Sequence, residues 1–229
     1  MSAKWVGFGI LVLAAGFAAG RLSVSPATLE EARSLDSFQQ ALVERDPLQR
    51  WFEVSRYLQG LSPEELPDAV TVLQAQRRRL HSDELRAFMF AWARFDPHHA
   101  LEQALSWPGA DRRRASGAAM FAYAFYQPEA ASRMLARLPE GKLHEFLEDR
   151  MVEGWAASGR LGELDAYLVS LPEGDRRKAL VVLIAREVAR DGAQALVRWR
   201  DGFPTELPSL RQFVVRQVQA IQAAAPASR

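Results

Sequence analysis

Residues 158–172 read SGRLGELDAYLVSLP. Ser158-Gly159 signals a turn, Leu161, Leu164 and Leu168 recur on one helical face, and Leu171-Pro172 ends the segment. That ending recurs along the chain as Trp107-Pro108, Leu138-Pro139 and Phe203-Pro204. The four closing prolines, at 108, 139, 172 and 204, stand 31, 33 and 32 residues apart. Seven residues before the large apolar partner of each proline are Ala100, Ala131, Leu164 and Leu196. Between them fall Ala104, Leu135 and Leu168, with Arg200 breaking the column in the last unit. Spacings of four and three put these side chains on one side of a helix.

A second column lies upstream. Trp92-Ala93, Tyr123-Ala124, Trp155-Ala156 and Val188-Ala189 align, with one residue of slippage in the third unit, and a breaker follows each: Asp96-Pro97, Gln127-Pro128, Ser158-Gly159 and Asp191-Gly192. Each unit therefore reads as helix, tight turn, helix, proline stop. A ring beside an alanine suits two antiparallel helices, since the ring fills a groove and the alanine lets the backbones approach. Columns recurring in register point to stacked repeats. The alternative is one helical bundle whose helices have similar lengths. In both cases the aromatic columns are core.

Residues 158–172 resemble a tetratricopeptide or pentatricopeptide-type helical hairpin, and the resemblance extends over residues 82–204. It implies an all-α fold of stacked antiparallel hairpins, an α-solenoid that holds another protein or a peptide. A single N-terminal anchor ahead of such a stack is similar to bacterial envelope assembly and quality-control adaptors.

The N-terminus supplies that anchor. Residues 5–20 (WVGFGILVLAAGFAAG) carry no charge and lie between Lys4 and Arg21. The run is near the shortest length that spans a bilayer, and the two cations can snorkel outward. A cleaved signal peptide is the competing reading, with Ala18-Ala19-Gly20 as its small-residue site. Phe17 spoils that site and Arg21 would follow the other cut, so the uncleaved anchor is taken. A flank of four residues rarely crosses, which places the N-terminus in the cytoplasm and the body in the periplasm, held at the bacterial inner membrane. Gly16 and Gly20 have GxxxG spacing and offer a homodimer contact between anchors. The chain thus divides into an anchor (1–24), a linker helix with N-terminal capping helices (25–81), the hairpins (82–204) and a C-terminal capping helix with a frayed tail (205–229).

Composition bounds the chemistry. The 229 residues carry 29 basic and 28 acidic side chains and no cysteine. Disulfide scaffolds, thiolate metal sites and cysteine nucleophiles are excluded. Near-neutral charge speaks against nucleic acid as a partner. No GxSxG, HExxH or Walker pattern is present. His98 and His99 diverge by about 100° on a helix and make a poor metal pair. His144 and Glu148, four apart, read as a solvated helix face, as do the pairs Glu64-Glu65 and Glu148-Asp149. The expectation is a binding protein with no cofactor and no metal. Arg94, Tyr126, Arg133 and Arg160, near the turns, are its candidate contact residues. The triplets Arg77-Arg78-Arg79, Arg112-Arg113-Arg114 and Arg176-Arg177-Lys178 are candidates for a cationic ridge; the last two follow Asp111 and Asp175 at a helix start, where cations oppose the dipole. Asp111 and Asp175 would cap those helices. A cell-wall-acting enzyme on a helical scaffold and a structural subunit of an envelope complex are the alternative functions.

Overall fold

A computed structural model describes residues 35–224 and shows twelve α-helices. The anchor 5–20, the Gly16 and Gly20 pair and the start of the linker lie outside these residues. Three helices come first: α1 (Leu35–Ala41), α2 (Pro47–Gly60) and α3 (Leu66–Gln76), with Arg77–Arg79 adding a 3₁₀ turn. Eight follow in pairs: α4 (Ser82–Ala93) with α5 (Pro97–Ser106), α6 (Gly109–Tyr126) with α7 (Pro128–Leu135), α8 (Lys142–Ala157) with α9 (Leu161–Ser170), and α10 (Asp175–Val188) with α11 (Ala193–Gly202). The last is α12 (Pro208–Ala224). There is no strand among the described residues, and the β-branched Val181 and Ile184 are buried inside α10. No described helix is long and apolar enough to cross a membrane.

Local chemistry sets the helix ends. The Asp46 carboxylate accepts from the N–H groups of Leu48 (2.9 Å) and Gln49 (3.2 Å), with Pro47 opening α2. Asp96 does the same for His99 (3.0 Å) ahead of α5. These caps satisfy donors that a first turn leaves unpaired, and proline has no donor to lose there. In the later pairs glycine does the reversing: Gly159 and Gly192 have φ of 78° and 96°, where a Cβ would be strained. The Ser62 and Glu65 side chains make the reciprocal bonds of a capping box (3.3 and 2.9 Å), yet regular helix starts only at Leu66, behind a turn. Asp111 and Asp175 are not caps. Pro108 and Gly174 occupy those positions, Asp111 pairs with Arg114 (3.4 Å), and Asp175 is exposed.

The first helix of each pair packs on the first helix of the next: α2 on α4, α4 on α6, α6 on α8, α8 on α10, and α10 on α12. Each second helix lies against its own partner and the following first helix, as α5 does against α4 and α6, and α7 against α6 and α8. The core is made of the columns. Trp92, Tyr123, Trp155 and Val188 are buried, as are Ala100, Ala131, Leu164 and Leu196. Leu138 and Leu171 remain half-buried, whereas Trp107 and Phe203 are covered. On α12, Leu210, Val214 and Val218 face inward.

Polar ties join successive pairs at nearly constant separation. Arg94 donates to the Leu61 carbonyl (2.7 Å), Arg114 to Leu80 (3.0 Å), Arg160 to Tyr126 (3.4 Å), and the Trp199 indole N–H to Asp165 (2.9 Å). The partners are 33 or 34 residues apart. Three of these ties meet carbonyls at or beside helix and turn ends that lack a partner within their own helix. The fourth is buried. Burial pushes the Asp165 carboxyl up to about 6, against the downward pull of the Trp199 bond. The folded value exceeds the unfolded one near 3.9, so this group's contribution is whole below that pH and is lost as pH rises through about 6. Asp165→Asn keeps the acceptor and cannot ionise. Relative to the parent, its stability in urea is expected to rise by roughly 2 kcal/mol between pH 4 and pH 7. A difference that stays constant across that range would contradict this assignment.

Candidate functional site

Two shallow, open depressions lie on the surface. One of about 440 Å³ is lined by Thr205, Pro208, Arg211, Gln212, Val215 and Arg216. The other, of about 350 Å³, lies along residues 74–79. Neither is lined by a carboxylate or a histidine. No group of three potential metal ligands occurs among the described residues. The raised carboxyl of Asp165 is buried against Trp199, away from both.

A different surface emerges from the helical register. Trp92 approaches His99 of α5 (5.7 Å between ring centroids), and Trp155 approaches Tyr167 of α9 (5.7 Å). These rings therefore mark the side of each first helix that faces its second helix. Two residues earlier, about 200° round the helix, stand Phe90, Phe121, Glu153 and Arg186. Phe90, Phe121 and Glu153 are half-buried and Arg186 is exposed, on the side opposite the second helices. Phe125 extends this face on α6, and Phe146 and Arg150 extend it on α8.

At the α4–α6 end the face is aromatic. Phe90 lies 4.9 Å from Phe125, 5.0 Å from Tyr126 and 6.4 Å from Phe121, all ring to ring. Phe146 on α8 continues it, with the Arg113 guanidinium 3.9 Å and the Arg150 guanidinium 5.7 Å from its centroid. Toward α10 the face turns ionic. Arg150 pairs with Glu153, and Arg190 with Glu187 (2.6 Å). Burial raises both carboxyls above the usual range; Arg150 and Arg190 pull the other way, and Glu153 and Glu187 repel each other. Burial likewise raises the Tyr126 phenol, against Arg94. An arrangement of half-exposed rings beside arginines can bury apolar side chains and bind carboxylates or carbonyls.

The expected contact residues divide across the fold. Tyr126 belongs to the aromatic end. Arg94 and Arg160 border it, but each has a guanidinium N–H on the preceding pair's backbone. Arg133 is exposed on α7, which packs on the other side of α6. The triplets do not form one free ridge. Arg112 is exposed, Arg113 covers Phe146, and Arg114 holds Asp111 and Leu80. Arg176 pairs with Glu148 (2.6 Å) and Asp149 (2.8 Å), while buried Arg177 donates to the Leu171 carbonyl (3.1 Å). Glu148, expected on a solvated face, is buried and also accepts the Tyr167 hydroxyl (2.8 Å). Phe90, Phe121, Phe125 and Phe146 were not among the expected contacts. For Phe90 and Phe121 the signal was the position two residues before a core aromatic, Trp92 and Tyr123. No protein-family model, no curated protein and no solved structure matches the chain.

Proposed function

We propose that this chain is a membrane-anchored helical-repeat adaptor of the bacterial envelope, in which tetratricopeptide-like hairpins stack as an α-solenoid and grip a protein or peptide. The observation that carries this reading is the row Phe90, Phe121, Phe125 and Phe146, half-exposed on the side of the first helices that no second helix covers. Rings gathered side by side on one surface, rather than scattered singly, are what an interaction site presents. Arginines around the rings supply orientation, and the ionic end supplies selectivity. In this reading residues 5–20 hold the body at the inner membrane, with the N-terminus cytoplasmic and the hairpins periplasmic.

Crosslinking in cells tests it, with the full chain and a version lacking residues 1–20 compared side by side. The expected result is one partner recovered with the full chain, and reduced by ten-fold or more when Phe121 and Phe125 are both alanine. Recovery of the same proteins with the face intact or altered would refute the assignment. Topology is read separately: a C-terminal reporter active only in the cytoplasm would overturn the periplasmic placement.

A further inference from the structure

Large apolar side chains stand exposed at one place among the described residues. Val43 is 54% exposed, Leu48 82% and Phe52 59%. All three fall within ten positions. Leu48 and Phe52 are one turn apart on α2, Val43 is in the turn before it, and half-buried Trp51 adjoins them. These side chains differ from the aromatic row on α4–α8, which is half-covered by its neighbours. Their exposure to water is costly unless something covers them.

Where the chain leads from here says what covers them. Leu35 opens α1, which packs on α2 and α3. Fourteen residues earlier stands Arg21, which closes the uncharged run 5–20. Fourteen residues reach at most about 50 Å when extended and about 21 Å as a helix. The start of α1 is therefore the part of the body tethered nearest to that run, and the α1–α2 tip lies one helix of 7 residues beyond it. We propose that this tip rests on the bilayer surface, with Leu48 and Phe52 entering the boundary between headgroups and acyl chains and Val43 beside them. The inference rests on reading residues 5–20 as an anchor.

The surroundings fit a lipid interface. The Arg56 guanidinium lies 5.9 Å from the Phe52 centroid, and Arg45 is exposed next to Val43, so cationic heads accompany the apolar groups. The nearby acids are held by local bonds, though Glu44 and Asp46 are themselves exposed: Glu44 accepts the Asp46 N–H (3.0 Å), Asp46 caps α2, and Glu53 pairs with Arg56. Charges here nearly cancel, so the contact is apolar and little affected by salt.

The chain has no cysteine, so single labels are clean. Leu48→Cys, Phe52→Cys and, as control, Gln219→Cys on α12 each carry an environment-sensitive fluorophore. The full-length protein is reconstituted in vesicles of phosphatidylethanolamine and phosphatidylglycerol containing headgroup-spin-labelled lipid. The expected result is quenching at 48 and 52 several-fold above that at 219, unchanged by molar salt. Equal quenching at all three sites, in protein that floats with the vesicles, would overturn the inference and leave the anchor standing. So would disulfide crosslinks between copies of the unlabelled Leu48→Cys variant without quenching of its labelled form, since a second copy would then be the occupant. Protein that fails to float would overturn both the inference and the anchor.

Discussion

Gly154→Ala is expected to destabilise the protein by about 3 kcal/mol or more, although alanine at a helix interior normally gains about 1 kcal/mol over glycine. A Cβ built at Gly154 falls far inside contact distance of the Phe121 carbonyl oxygen and 2.9 Å from its carbon. Those atoms are backbone, so no side chain can turn aside; α6 and α8 must separate. Moving them loosens the packing against α5, α7 and α10 as well, because both are central helices. Two internal controls set the sign. Gly162→Ala, with nothing within 4 Å of its Cβ, is expected to gain roughly 0.5–1 kcal/mol. Gly117→Ala meets the Phe146 ring at 2.6 Å, which can rotate, and is expected to cost less than Gly154→Ala. Urea midpoints at constant slope read all three. A neutral Gly154→Ala would contradict the α6–α8 approach on which the half-buried row of rings depends.

Glu84→Ala is expected to cost about 3–5 kcal/mol. The Glu84 side chain is 4% exposed and its ion-pair partner, Arg50, is 11% exposed. The carboxylate also accepts the His81 N–H (2.9 Å), so it ties α2 to the start of α4. Without it, Arg50 keeps its bond to the Arg79 carbonyl (3.1 Å) but loses its counter-charge inside the fold. Burial pushes the Glu84 carboxyl up, yet the Arg50 and His81 bonds outweigh it and hold the group below the usual range. Its contribution is therefore present above the unfolded value near 4.3 and lost as pH falls through the lower folded value. The alanine variant should lack that acid-side loss. Replacing both partners, Arg50→Met with Glu84→Leu, is expected to recover most of the stability, because the cost lies in the unpaired charge. A double variant as damaged as Glu84→Ala alone would show that packing, rather than charge, explains the loss.

Helical class, breaker positions and core columns were legible in the sequence, because each is a local or periodic property. Asp96-Pro97 and Ser158-Gly159 announce their turns by backbone chemistry alone. Trp92, Tyr123 and Trp155 announce their burial by recurring in register. What escaped is what depends on a second segment. Glu148 looks like helix-surface charge until Tyr167 and Arg176 come to it from α9 and α10. Arg114, Arg176 and Arg177 look like free cations until the carbonyls and carboxylates they hold are placed beside them. Phe90 and Phe121 look like more core, since their half-exposure follows from which side the second helices take. The constant interval of 33 or 34 residues in the polar ties was present in the sequence, but it has meaning only once successive pairs are in contact.

A photo-reactive amino acid placed at Phe125 in the full-length chain, in living cells, tests the central claim most directly. Gln219 on α12, exposed and outside the aromatic face, carries the same probe as control. The expected result is a discrete adduct with one partner protein at position 125, absent at 219, and abolished when Phe90 and Phe121 are replaced by alanine in a variant that still folds. Adducts at 125 no more specific than those at 219, or adducts indifferent to the loss of the neighbouring rings, would contradict a gripping face on these helices.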